Sequence, residues 1–309
     1  DERLLVLAAQ AHDLGHGVAS HAFEGWLHRS PFALHDQSLD EWKHEVESVR
    51  ILRDAVQRGL LPSLSGDDHG LERIEAFILG KVPSTRVLPR RQRWMLDVVN
   101  NARSGIDVDR LDYLQRDALH ALGGNGGGLM HIGRLLCNAR VSSDGCRLLF
   151  HVKTLGQLNE LFHRRWSMFR MIYGHDTVLA IEMMLHDFFE HLLRSRHCTV
   201  LRDALQFGTI DRYMLLDDSL LQHARLVWHS VQKDQQASPP TLSSGANDDN
   251  GDDKDDDDDD SGDPSLQSAC QVLREIEARR LYDCIARRTV PSTAWRRVTQ
   301  WQAPNVGSI

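Results

Sequence analysis

The segment Ala11–Glu24, AHDLGHGVASHAFE, gathers His12, His16, His21, Asp13 and Glu24 into one short stretch. His12 and His16 are four residues apart, so a helix running through them would put both on one face. Asp13 would sit about 100° round from His12, near enough for an imidazole and a carboxylate to share one cation. Gly15 and Gly17 disfavour a continuing helix, so the expectation is a helix that frays there and turns the histidines into a cleft. A histidine-rich surface helix is the bland alternative. The apolar lead-in of Leu4, Leu5, Leu7, Ala8 and Ala11 argues instead that the doublet is buried, which is costly without a metal or hydrogen-bond partners. A metal site is the better reading.

Two further stretches carry chemistry-bearing residues at helical spacing. In GIDVDRLDYLQRD (105–117), Asp109, Tyr113 and Asp117 form one polar stripe beside Arg110, and Leu111, Leu114 and Ala118 form the apolar face. A solvated face with charge pairs would look the same. Asp for a hydroxyl or metal, Tyr for a hydroxyl or ring and Arg for a phosphate also suit a sugar-phosphate ligand. In FHRRWSMFRMIYGH (162–175), Arg165, Phe169 and Tyr173 share a stripe that could cradle phosphate and base. Aromatics at this spacing are more often core.

The elements that must position these residues read as helices joined by short loops. Ser38–Glu41 is a capping box opening a helix through Val46, Val49, Ile51 and Leu52. A second helix is expected over 70–78, stopped by Gly80. Pro83–Pro89 is a loop; 93–122 reads as mostly helical, broken near Ser104-Gly105 and ended by the glycines from Gly123. Val141–Val152 alternates around Asp144-Gly145 as a small hairpin, the one convincing β signal. The helical period from Thr154 to about Arg194 is interrupted at Gly174, which predicts one long helix or a kinked pair. Ser265–Arg288 is again helical in period and is expected to pack back on the core. The fold class is therefore all-α with one small β-hairpin.

Composition bounds the rest. The chain has 309 residues and a net charge of −8, but Asp248–Asp263 alone holds eleven Asp and one Lys, leaving 35 basic against 33 acidic residues elsewhere. That low-complexity stretch cannot bury enough apolar area to offset its ordering entropy, so residues 233–265 are read as a disordered insert. It separates a main domain over 1–232 from a C-terminal helical segment over 266–309. Five cysteines, odd in number and never in C-x-x-C, suit a reducing intracellular compartment. No eighteen-residue apolar run and no basic-plus-apolar leader is visible, so no membrane span is expected. The absence of an initiator Met and the mid-helix start read as a fragment. No dense basic tract marks a nucleic-acid footprint.

Taken together, HDLGHG-x-x-SH-x-FEG, IDVDRLDY-x-x-RD and LF-x-x-R-x-x-x-x-R-x-x-Y-x-H resemble the HD-domain deoxynucleoside triphosphate triphosphohydrolases, nearest to the eukaryotic group with a sterile alpha motif. The likeness extends to Trp42–Glu45, Ile78–Gly80 and Ile276–Leu281. It implies His12, Asp13 and Asp109 as ligands of a divalent metal (Fe, Mn, Mg or Zn). It implies His16, His21 and His44 as active-site histidines, partnered by Glu24 and Glu45. It implies Arg110, Tyr113, Asp117, Arg165 and Tyr173 as substrate contacts, Arg110 standing where the family has Lys and Phe169 where it has His. Arg134 and Lys153 match regulatory positions, while His151 and Gln157 depart from the usual Arg and Asn. The resemblance also implies a further metal-ligating His and a sterile alpha motif domain upstream, so an isolated fragment is expected to be impaired.

The reaction implied is metal-dependent hydrolysis of dNTPs to deoxynucleoside and inorganic triphosphate. The metal, Arg110 and Arg165 would neutralise phosphate charge, His21 held protonated by Glu24 would serve as acid, and His44 with Glu45 as a second relay. The implied partners are the dNTP substrate, a GTP or dNTP regulator, single-stranded nucleic acid and further copies of the chain in a dimer or tetramer, in nucleus or cytosol. The alternatives are a 5′-nucleotidase-type HD phosphohydrolase and a catalytically impaired nucleotide- or nucleic-acid-binding scaffold.

Overall fold

The computed structural model describes residues 2–30, 42–64, 69–123, 131–207, 209–237 and 262–285. In chain order these form α1 (Glu2–Ala11), α2 (His21–Leu27), α3 (His44–Gln57), α4 (Gly70–Leu79), α5 (Leu96–Val99), α6 (Val108–Leu122) and α7 (Ile132–Cys137). A hairpin of β1 (Ala139–Val141) and β2 (Leu148–Phe150) follows. The chain then continues through α8 (Leu155–Met168), α9 (Asp176–Leu193), α10 (Val200–Phe207), α11 (Ile210–Tyr213), α12 (Ser219–Ala237) and α13 (Pro264–Glu277). Among the described residues the fold is all-α apart from that antiparallel pair, in which Arg140 faces Leu149.

Three apolar clusters hold the helices together. In the first, α2 packs against α9 to α13 through Phe23, Trp26, Phe188, Phe189, Leu220 and Leu266, all nearly solvent-free. The second joins α1, α3, α4 and α5 through Ala8, Leu52, Ile74, Phe77 and Val99. The third joins α6, α7 and α8 through Leu111, Leu114, Leu135, Leu161 and Met168. Burying each such side chain contributes about 1.5–3 kcal/mol, which outweighs any local propensity in placing the helices.

Several boundaries differ from the periodicity reading, each for a local reason. Helix α1 stops at Ala11, one residue before His12, so a turn joins His12 to His16 and the two do not share a helix face. The stretch 93–122 is less helical than its pattern. Arg90–Met95 is a 3-10 turn, α5 lasts four residues, and residues 100–107 are loop. The Asn101 side chain takes the N–H groups of Arg103 and Ser104 at 3.3 and 3.1 Å, an Asx-type competitor to the helix.

The period from Thr154 resolves into a kinked pair. A π turn over Phe169–Tyr173 follows α8, the Gly174 N–H donates to Phe169 O at 2.8 Å, and α9 restarts with His175 Nδ1 capping Thr177 N. Helix α4 ends at Gly80 as expected, in the left-handed region (φ 61°). Helix α12 runs on to Ala237 and α13 begins at Pro264, so both ends of the expected 233–265 insert lie within helices. The periodicity to Arg288 breaks off at Glu277: Arg279 turns left-handed (φ 57°), the Arg280 N–H closes on Glu275 O at 2.9 Å, and Ile285 is fully exposed. The Ser38–Glu41 capping box and residues 238–261 lie outside the described residues.

Candidate metal centre and active site

The chain brings its early doublet and its later aspartate together. His12 Nδ1 donates to Ala9 O at 2.8 Å, which fixes the ring and leaves Nε2 pointing at Asp13 Oδ1 (3.3 Å) and Asp109 Oδ1 (3.5 Å). His12 Nε2 is itself buried and has no hydrogen-bond partner among the described residues. A buried imidazole lone pair aimed at two carboxylates is unfavourable unless a proton or a metal ion lies between them. Donors bound at about 2.0–2.2 Å to one ion stand roughly 3 Å apart, so this one-nitrogen, two-oxygen set fits a divalent ion. The same crowding acts on a proton: the facing Asp109 carboxylate, helped by Asp13 and opposed by burial, raises His12 to about 9. Asp109 is held low in turn, chiefly by His12. The doublet is less buried than its apolar lead-in implied, because the chain has left α1: the Asp13 side chain is 54% exposed.

Beside it stands a histidine cluster. His16 and His44 stack at 3.9 Å, and His21 meets His16 edge-on at 4.8 Å. Both stacked rings also face Asp13, at 3.7 and 3.8 Å. Glu24 is the carboxylate they turn on. Its Oε2 lies 3.0 Å from His44 Nδ1 and 3.6 Å from His21 Nδ1, whereas Glu45 stands off at 3.6 Å from the same His44 atom. Glu24 therefore serves both histidines, and the expected His44–Glu45 relay is the weaker contact. Burial pushes the Glu24 carboxyl up, but hydrogen bonds from His21 and His44 outweigh it and hold it well below the usual range. The bond to Glu24 raises His21. Burial, with His44 and His21 close by, lowers His16 to about 4. Neighbouring imidazoles are thus driven to opposite protonation states, which is the arrangement acid–base chemistry needs.

Helix α6 supplies the second wall. Asp107 caps it, accepting from Arg110 N at 3.0 Å and also from the Arg110 guanidinium. Asp109 turns towards His12, while Tyr113 faces Arg165 and Arg110; burial raises its phenol. Tyr173 donates to Asp117 Oδ2 at 2.6 Å. The π turn groups Phe169 with Tyr173 (5.1 Å) and sets the Arg165 guanidinium over Phe169 (5.4 Å). Arg134 and Lys153 are exposed, on α7 and in the turn ahead of α8.

Three positioning groups were not visible in the sequence pattern. Ser48, fully buried on α3, accepts from Gly15 N at 2.8 Å and donates to His12 O at 2.6 Å. Tyr213 on α11 donates to Gly15 O at 2.5 Å from 198 positions away. Asp218 accepts from Ala19 N at 2.8 Å, at the pair Ala19 and Ser20 whose φ values of 57° and 51° turn the chain into α2 and aim His21. Gly15 is required here: a Cβ would come within 2.1 Å of His44 O and 2.4 Å of Ser48 N. Nothing in the local sequence marks Ser48, Tyr213 or Asp218.

An all-helical scaffold on which a His-Asp doublet meets a remote aspartate is the HD class of arrangement. No family model matches the chain. It is 31% identical over 194 residues to the deoxynucleoside triphosphate triphosphohydrolase SAMHD1 homolog of Dictyostelium discoideum, covering 61% of this chain and 33% of that protein. It is 27% identical over 300 residues to deoxynucleoside triphosphate triphosphohydrolase SAMHD1 of Danio rerio, covering 92% of this chain and 42% of that protein. An HD domain-containing protein of Acanthamoeba polyphaga mimivirus is 28% identical over 183 residues, covering 59% of this chain and 36% of its own length. The chain is thus similar to SAMHD1-like HD-domain proteins. It spans less than half the length of these curated relatives.

Proposed function

We propose that this chain carries the catalytic site of a hydrolase that splits a dNTP into deoxynucleoside and inorganic triphosphate, with a divalent ion held by His12, Asp13 and Asp109. The observation that carries the reading is the convergence of the doublet and Asp109 on the unpartnered His12 Nε2. The names of the relatives supply the substrate class. Bound there, the ion would supply Lewis-acid charge at the α-phosphate, and the mixed nitrogen and oxygen donors suit Fe, Mn or Mg better than a structural Zn.

The chain's own residues then divide the work. Arg165 meets the phosphates; Arg110 joins it only by loosening its pair with Asp107. Asp117 and Tyr173, already bonded to each other, present a carboxylate and a phenol to the deoxyribose hydroxyl, with Tyr113 beside them. His21, 76% exposed and kept protonated by Glu24, delivers a proton to the departing 5′-oxygen. His16, kept neutral, and His44 line the same cleft. Regulation by GTP or a dNTP through Arg134 and Lys153, assembly into dimers or tetramers, single-stranded nucleic-acid binding and a nuclear site belong to the same proposal. Among the described residues no helix is long and apolar enough to cross a membrane.

The test is product analysis of the full-length protein with Mg or Mn and each dNTP. Release of triphosphate with nucleoside supports the proposal, whereas inertness towards dNTPs with orthophosphate released from dNMPs supplied in parallel would place the chain with 5′-nucleotidase-type enzymes. Binding without turnover would make it a scaffold. Asp109→Asn separately tests the ion: metal content by elemental analysis should fall, and full occupancy would remove Asp109 from the ligand set.

A further inference from the structure

Outside the HD site, a groove of about 610 Å³ runs between the Arg90–Met95 turn with α5 on one side and the hairpin loop on the other. The hairpin is seated there by Gly145, which is left-handed (φ 72°) and so close to the turn that a Cβ would meet Arg91 Cα at 2.3 Å. The Trp94 N–H donates to Gly145 O at 3.2 Å and locks the contact. The groove is lined by Arg90, Arg93, Arg103 and Arg147, opposed by Asp97 and Asp144.

The two carboxylates are already engaged. Buried Asp97 accepts from Arg103 Nη2 at 2.7 Å and from Leu148 N at 2.9 Å, tying the loop after α5 to the hairpin. Asp144 lies beside Arg90 and is held by Ser142 Oγ at 2.6 Å. Arg93 and Arg147 are the surplus. Arg93 Nε is buried and has no hydrogen-bond partner among the described residues. A desolvated guanidinium donor with nothing to bond is costly, and the planar fork of Arg matches phosphate oxygens two at a time. The volume lies in the range of small-ligand sites.

We propose that this groove is an anion site for a phosphate oligoanion, of the kind found in inorganic triphosphate or in the phosphate tail of a nucleotide. Arg93 and Arg147 grip it, and the Asp97-anchored Arg103 completes the positive wall. None of these residues belongs to the HD site, so the inference stands or falls independently of the hydrolase reading.

Calorimetric titration of the intact protein with inorganic triphosphate tests it, with GTP as a second titrant to tell a free oligophosphate from a nucleotide. Arg165→Gln serves as background, because it weakens phosphate contacts on the HD side. On that background, binding should persist and should weaken at least tenfold in Arg93→Gln/Arg147→Gln. Arg93→Lys, which keeps the charge and loses the fork, should fall between. In otherwise unaltered protein, Arg93→Gln/Arg147→Gln should leave dNTP turnover at saturating substrate unchanged. Equal triphosphate affinity in all forms would overturn the proposal, as would binding of a single-stranded oligonucleotide with none of triphosphate or GTP.

Discussion

Replacing Ser48 by Ala probes the hinge on which the proposed metal centre turns. The side chain is fully buried, and its hydroxyl does two things at once. It accepts the Gly15 N–H at 2.8 Å and donates to His12 O at 2.6 Å, with the helical His44 carbonyl as alternative acceptor at 2.9 Å. Alanine fits the space but leaves the Gly15 N–H buried without an acceptor, and no water-sized gap opens on losing one oxygen. Leaving such a donor unpaired costs about 1–3 kcal/mol. The carbonyls, with two lone pairs each, tolerate the loss better. The expected loss is therefore about 2 kcal/mol, read as a lower urea midpoint at unchanged slope. Because Ser48 sets the backbone that carries His12 and His44, metal affinity should also fall by about 10- to 100-fold, as for other outer partners of metal ligands. Ser48→Thr retains the hydroxyl and should recover much of the metal affinity. A Ser48→Ala protein that loses less than about 0.5 kcal/mol, as an ordinary surface change would, and retains its full metal content would refute the reasoning.

Two pH dependences follow from carboxylates held by hydrogen bonds, one in the site and one at the start of α13. His21 is raised by Glu24, so its acid form persists above its ordinary value and turnover should fall as pH rises through that raised value. Glu24→Gln removes the main cause, so the alkaline limb of kcat/KM should move to lower pH; an unmoved limb would take His21 out of the acid role. Asp263 is buried and, although burial opposes it, bonds from Leu266 N, Ser195 Oγ and His197 N lower it to about 2 from 3.8. A depressed carboxyl stabilises the fold above its unfolded value, and that contribution, about 2 kcal/mol at 1.36 kcal/mol per unit, is lost as pH falls from about 4 towards 2. Acid unfolding of Asp263→Asn should show a shallower pH dependence over that window, and an identical acid transition would contradict it.

The local pattern spoke most clearly where a helix is long and one-sided. The buried set of Leu111, Leu114 and Ala118 in α6, and the stop at Gly80, follow directly from period and backbone freedom. Where residues compete for the backbone it spoke less clearly: Asn101 dissolved an expected helix, and Arg279 ended another before its apolar repeat ran out. Within the site, His12, His16, His21 and Asp109 were visible as types at spacings. Glu24's service to two histidines was not, because His44 arrives on a different helix. Tyr213, bonded to Gly15 across 198 positions, has no local signal at all.

That distribution explains why the site lies where it does. The doublet follows α1, which belongs to the second apolar cluster; His21 and Glu24 ride on α2, in the first; Asp109, Tyr113 and Asp117 ride on α6, in the third. Each cluster is rigid in itself because its packing is dense, so the relative placement of the three decides whether His12 Nε2 meets Asp109. Ser48 ties α3 to the doublet, and Tyr213 ties the first cluster to the turn at Gly15. Both bonds run through backbone atoms of the HD turn, so they set its position whichever side chains stand on it. A site assembled at such a seam gains geometry that no single helix can provide, and it becomes sensitive to substitutions in each of its three supports.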